Sequence, residues 1–212
     1  LKCVSFTAAA SQPMYQIGAY GRKHQEDTVR YFQNGAMVAA ELGCKLLTAN
    51  SGNGFFDEAF DEVWARSIET MARVCDAAAQ YGVTVTMEGL RPQETRTASG
   101  LSAVKQFISD VNRPNCKAMI DTTAMAVNGE TIWDWFRAFN GEILNTHFID
   151  AAPAGHLAWG DGILPLEKML TCLNWYGYAG PLGLEITHSR YFLNPIEANI
   201  QSLRVLSPYI CD

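Results

Sequence analysis

The sequence has no run of lysine and arginine, and its 16 basic residues are outnumbered by 22 acidic ones, for a formal net charge of −6. A nucleic-acid partner is therefore not expected, because a phosphate backbone is bound by a concentrated basic footprint. No apolar stretch reaches the roughly 18 to 20 residues that span a bilayer, and the N-terminal LKCVSFTAAA lacks the basic, apolar and cleavage zones of a secretion signal. No membrane partner is expected either, and the chain reads as cytoplasmic. The six cysteines (Cys3, Cys44, Cys75, Cys116, Cys172 and Cys211) stand singly, without a C-x-x-C pair, which favours buried, reduced thiols. No G-x-G-x-x-G separates the first strand-like segment from its helix, so a dinucleotide-binding Rossmann domain is not supported. Histidine is scarce too. There are four in 212 residues, yet two fall in NTHFIDAAPAGHLAWGDG, Asn145 to Gly162.

What is present is a chain with 48% hydrophobic and 18% charged residues, enough to bury one substantial core as a single domain over residues 1–212. Strand-like and helix-like segments alternate. LKCVSFTA reads as a strand, and a polar, Gly-containing loop follows it to about Gln25. Glu26 to Leu42 carries a helical apolar stripe ended by Gly43, and KLLTANSG reads as strand then turn. Phe56 to Tyr81 is the longest helical segment, stopped by Gly82. After the strand VTVTMEG come a helix near 100–111, the strand KAMIDT, a helix near 131–139 and the strand EILNTHFI. A helix near 164–176, the strand LGLEIT and a last helix from Pro195 complete the pattern.

Strands that alternate with helices imply a parallel sheet with crossover helices, either doubly wound or a (β/α)8 barrel. The polar residues favour the barrel. Glu88, Asp121, His147 and Glu185 each fall at the end of one of the last four strand segments, 33, 26 and 38 residues apart. Barrel strand ends converge on one face, so these four side chains would surround one point near the axis. Taken alone, each has a bland alternative: an acid at a strand end often caps the next helix, and a histidine in an apolar run is often a hydrogen-bonded core residue. Four such residues at matched positions point instead to a divalent cation, which would compensate several buried carboxylates at once. Carboxylate oxygens with one imidazole suit Mn²⁺ best, and Mg²⁺, Co²⁺ or Fe²⁺ also fit.

At these residues the chain resembles the xylose isomerase-like TIM-barrel superfamily, in its sugar phosphate isomerase/epimerase branch. The matching features are the Glu of MEGL, the Asp of IDT, the His and Asp of HFID, the loop HLAWGDG and the segment GYAGPLGLE. The resemblance implies that Glu88, Asp121, His147 and Glu185 hold the metal and that Glu88 and Glu185 also act as acid and base. It further implies that Glu94, six residues after Glu88, bonds substrate hydroxyls. Asp150 is expected as a partner of His147 or of its loop, while His156 and Trp159 of that loop are expected at the substrate. For His156, an exposed loop position is the bland alternative. Ala124 and Pro153 stand where ketose 3-epimerases of the family carry a substrate-touching His and Arg. If Glu88 lies on the fifth strand of such a barrel, Leu1 begins the third. Two strand-helix units are then lacking from this chain, and either the chain is a fragment or a partner, such as a second copy in a homo-oligomer, completes the barrel.

The implied activity is that of a metal-dependent sugar isomerase or epimerase, which abstracts a proton next to a metal-bound carbonyl through an enediolate. A lyase of the inosose dehydratase or C-glycoside deglycosidase type would use the same enolisation. A non-catalytic barrel subunit is the competing reading from another class, and the intact ligand set weighs against it. An endonuclease-IV-like nuclease would need more histidines and a basic groove.

Overall fold

The computed structural model describes residues 1–8, 14–152 and 154–209. Among the described residues six strands lie side by side in chain order: β1 (Phe6–Thr7), β2 (Leu46–Asn50), β3 (Thr84–Glu88), β4 (Cys116–Asp121), β5 (Ile143–His147) and β6 (Leu182–Gly183). Every neighbouring pair is parallel. The helices are α1 (Arg22–Glu41), α2 (Phe60–Ala79), α3 (Leu101–Val111), α4 (Thr122–Val127), α5 (Ile132–Ala138), α6 (Leu166–Trp175) and α7 (Pro195–Leu206). Among the described residues no helix is long and apolar enough to cross a membrane.

The sheet curls. The Asn145 amide on β5 donates to Ser5 Oγ at 2.8 Å, just before β1, and to Thr48 Oγ1 on β2 at 3.2 Å. Side chains of the fifth strand and of the first two thus meet across an interior, as in part of a barrel. On the outer face, Leu47, Val85, Met87 and Ile120 pack with helix residues Phe32, Met71, Phe107 and Phe136 in one buried cluster. Full burial of a side chain of that size is worth about 1.5–3 kcal/mol. The architecture is thus a six-stranded parallel portion of the expected (β/α)8 barrel.

Several boundaries differ from the sequence reading, each for a local reason. The first strand is two residues rather than eight, because β1 pairs only at Phe6 and Thr7, and Leu1 and Val4 are exposed. The last is equally short: β6 pairs at Leu182 and Gly183, and Pro181 before it has no N–H to donate. Glu185 therefore lies two residues past its strand. Helix α1 starts at Arg22 instead of Glu26, with Arg22–Glu26 and Lys23–Asp27 ion pairs across its first turns. Its end matches expectation, with Gly43 at φ 71°. An unexpected helix, α4, follows β4 directly. Cys44, Cys75, Cys116 and Cys172 are buried free thiols, while Cys3 is only half-buried. Cys211 lies outside the described residues.

Candidate metal centre

Strands β3, β4 and β5 deliver Glu88, Asp121 and His147 as their last residues, and the segment after β6 brings Glu185 beside them. One ligand-type atom from each lies within 4.8 Å of the others. His147 Nδ1 is 2.6 Å from Glu88 Oε1, 3.2 Å from Glu185 Oε2 and 3.7 Å from Asp121 Oδ2. Glu88, Asp121 and His147 are buried, whereas the Glu185 side chain keeps 35% of its surface.

Asp121 reconciles two readings of a strand-end acid. Its Oδ1 accepts from Ala124 N–H at 2.6 Å and so caps α4. Its Oδ2 is buried without any hydrogen-bond partner, and so is His147 Nδ1, which has carboxylates close by but none along a hydrogen-bond direction. Orphaned buried polar atoms of this kind are rare and costly. Three carboxylates converging on one imidazole would be satisfied together by a divalent cation, and the donor set is one that holds hard, oxygen-preferring cations. These residues fit a metal.

The electrostatics carry the same demand for positive charge. Burial, reinforced by the Glu88 charge, pushes the Asp121 carboxyl up to about 8, and burial raises Glu88 as well. Burial opposes a charged His147 ring, yet Glu185 and Glu88 beside it hold its pKa up at about 11. Burial also pushes Glu185 upward, but His147 and His156 hold it below the usual carboxylate value.

Glu88, Asp121 and Glu185 of the cluster line a cavity of about 530 Å³ together with Glu94, Ala124 and His156. Glu94 is there as expected, held by an ion pair with Arg91 and by Arg91 N–H at 3.0 Å. Arg91 in turn donates to Ala154 O at 2.6 Å, so it ties the loop after β3 to the loop after β5. The sequence reading missed Arg91, although its place three residues before Glu94 was a usable signal. His156 is no exposed bystander: its Nδ1 lies 3.0 Å from Thr187 Oγ1 and 3.3 Å from Glu185 Oε2.

Asp150 takes the loop role, one of the two expected for it, whereas Trp159 does not face the cavity. The Asp150 carboxylate accepts from the N–H groups of Ala151, Gly160, Gly162 and Leu164 at 2.8–3.1 Å. It organises the loop and does not bond His147. The Gly-Asp-Gly is explained by the same contact: Gly160 has φ 97°, and a Cβ at Gly162 would collide with the Asp150 carboxylate. Trp159 is 1% exposed, stacks obliquely on Phe148 at 4.8 Å and donates its indole N–H to Phe148 O at 2.9 Å. It is a core residue and not a wall of the cavity. Pro153 lies outside the described residues.

A family model described as a xylose isomerase-like TIM barrel matches residues 1–209. Fructoselysine 3-epimerase of Escherichia coli O157:H7 is 25% identical over 126 residues, covering 58% of this chain and 46% of that protein. The chain thus spans about half the length of that curated relative. Among solved structures, a 3-keto-D-glucoside 4-epimerase from E. coli superposes with a TM-score of 0.84 at 16% identity, over 98% of this chain and 80% of that one. A D-tagatose 3-epimerase-like protein does so with a TM-score of 0.83 at 16% identity, over 96% and 75%. Both structural likenesses concern the fold.

Proposed function

Since the chain belongs to the xylose isomerase-like TIM-barrel family, we propose that it is a divalent-metal-dependent sugar isomerase or epimerase. The observation that carries this reading is the convergence of Glu88, Asp121, His147 and Glu185 with two orphaned buried atoms among them. These four would hold the cation, and Mn²⁺ suits them best, with Mg²⁺, Co²⁺ or Fe²⁺ as alternatives. When bound, the cation supplies stabilisation for the negative charge that develops on a substrate carbonyl oxygen.

The chain's own residues do the rest. Glu88 approaches His147 Nδ1 from the end of β3 and Glu185 from the segment after β6, so one can take a proton from the carbon beside the carbonyl, leaving an enediolate. The other can return a proton to the opposite face, which is epimerisation, or to the neighbouring carbon, which is isomerisation. Glu185, the more exposed and more readily ionised of the two, is the better base. Glu94, held by Arg91, accepts from substrate hydroxyls, and His156 contacts substrate from the rim. The names of the relatives, epimerases and isomerases of sugars and cyclitol ketones, support this class.

The test is incubation of the Mn²⁺-loaded protein with ketoses in heavy water. Deuterium should enter the carbon next to the carbonyl, and Glu88→Gln and Glu185→Gln should each lower its rate by about 10² to 10⁴. Near-normal exchange in both variants with metal bound refutes the two-glutamate mechanism. A product that has lost water instead identifies the lyase alternative.

A further inference from the structure

Three side-chain amides that line the cavity have their orientation set by the backbone around them: Asn50 ends β2 in register beside Glu88, while Gln16 and Asn53 belong to the loops that follow β1 and β2. Gln16 Oε1 accepts from Asn53 N–H at 3.0 Å and Gly54 N–H at 3.1 Å. Asn50 Oδ1 accepts from Gly52 N–H at 3.0 Å, and Asn53 Oδ1 from Arg96 N–H at 3.0 Å. An N–H can only donate, so in each amide the atom turned to the backbone is the oxygen. The three NH₂ groups are what remain. None has a partner among the described protein residues, and all three side chains line the cavity. The arrangement is rigid: Gly52 has φ 71°, and a Cβ there would collide with the backbone of Gly18.

The cavity therefore offers three amide NH₂ donors together with the carboxylate acceptors of the metal centre and Glu94. A hydroxyl both donates and accepts, so a chain of hydroxyls can bridge the two. A phosphate ester would bring only acceptors and a charge of about −1.5 to −2. Phosphate sites commonly use Arg or Lys to meet that charge, and neither lines this cavity among the described residues. Arg91, just behind the lining, is engaged by Glu94 and Ala154 O. Building on the sugar-enolising reading above, we infer that Gln16, Asn50 and Asn53 are specificity residues. They donate to hydroxyl oxygens of an uncharged, unphosphorylated polyhydroxy ketone.

The distinguishing variants are Asn50→Asp and Asn53→Asp, which keep the oxygen that the backbone turn needs and replace the donating nitrogen with an acceptor. Gln16→Glu makes the same exchange at the third position and serves if either of the others fails to fold. Ligand-observed NMR on the Mg²⁺-loaded protein, with fructose, psicose, tagatose, sorbose and fructose 6-phosphate as probes, reads binding without turnover. At least one free ketohexose should bind, with fructose 6-phosphate at least tenfold weaker. The Asp variants should weaken that ketohexose at least tenfold while keeping the thermal midpoint, and Asn53→Asp should also keep Mg²⁺ affinity, since only Asn50 of the two stands in register beside Glu88. Binding of the phosphate ester equal to or tighter than the free ketoses overturns the inference, as do Asp variants that bind like the parent or the absence of binding by all four ketohexoses. Amide-dependent binding with no hydrogen exchange would refute the enolising reading alone. Exchange indifferent to the Asp variants would refute the amide donors alone.

Discussion

Glu88, Asp121 and His147 terminate strands of five or six residues that pair on both sides, and all three are buried. Glu185 follows a two-residue edge strand among the described residues, keeps about a third of its side chain exposed, and has His156 of a surface loop beside it. One side of the centre is thus set by ladder hydrogen bonds and core packing, and the other by loop contacts. Rigid elements hold ligands to tighter geometry than loops do, while an acid or base must approach and release a substrate proton. On the proposed function, the difference would give holding chiefly to the first three residues and proton transfer chiefly to the fourth.

The largest effect expected from that division is on cation affinity. His147→Ala should weaken Mn²⁺ binding by more than the roughly 10- to 100-fold typical of losing an outer-sphere partner, and Glu185→Ala by less than His147→Ala. Titration calorimetry on both variants makes the comparison, and equal losses would erase the distinction between the two sides. Next comes pH. Asp121 near 8 and His147 near 11 both stand above their ordinary values, so at neutral pH each carries a proton that the cation must displace. Affinity should therefore rise with pH, by about tenfold or more per unit below pH 8. A flat profile from pH 6 to 8 would show that the two groups are not ligands.

Smaller effects separate the loop from the core beneath it. Asp150→Ala leaves four backbone N–H groups without their charged acceptor and should cost about 2–3 kcal/mol. It should also raise KM, because His156 loses its support, while Mn²⁺ affinity changes little; denaturant melts and steady-state kinetics would check this. Trp159→Phe should cost about 1 kcal/mol through the lost bond to Phe148 O and leave KM alone. A large rise in KM would return Trp159 to the substrate.

The four-residue cluster was legible because parallel strands are short, self-contained apolar runs, and a carboxylate or imidazole at or just past the end of each stands out. MEG, IDT and NTH could be aligned from their apolar approach alone. The strand lengths were not legible at the edges: LKCVSFTA and LGLEIT have strand composition throughout, but pairing stops where a neighbouring strand stops. Trp159 misled for a related reason. Within HLAWGDG it sits among loop residues, and nothing local reveals that the chain turns its indole down onto Phe148. Likewise, no spacing rule marks Gln16, Asn50 and Asn53 as lining one cavity. NSGNG reads only as a turn, and the amides' shared role depends on a contact between residues more than thirty positions apart.

Crystals grown with Mn²⁺ and measured at an anomalous wavelength test the metal centre most directly. One anomalous peak per chain is expected, within coordination distance of Glu88, Asp121, His147 and Glu185 and absent from crystals of His147→Ala. A peak at other residues, or none at this cluster at saturating Mn²⁺, would contradict it.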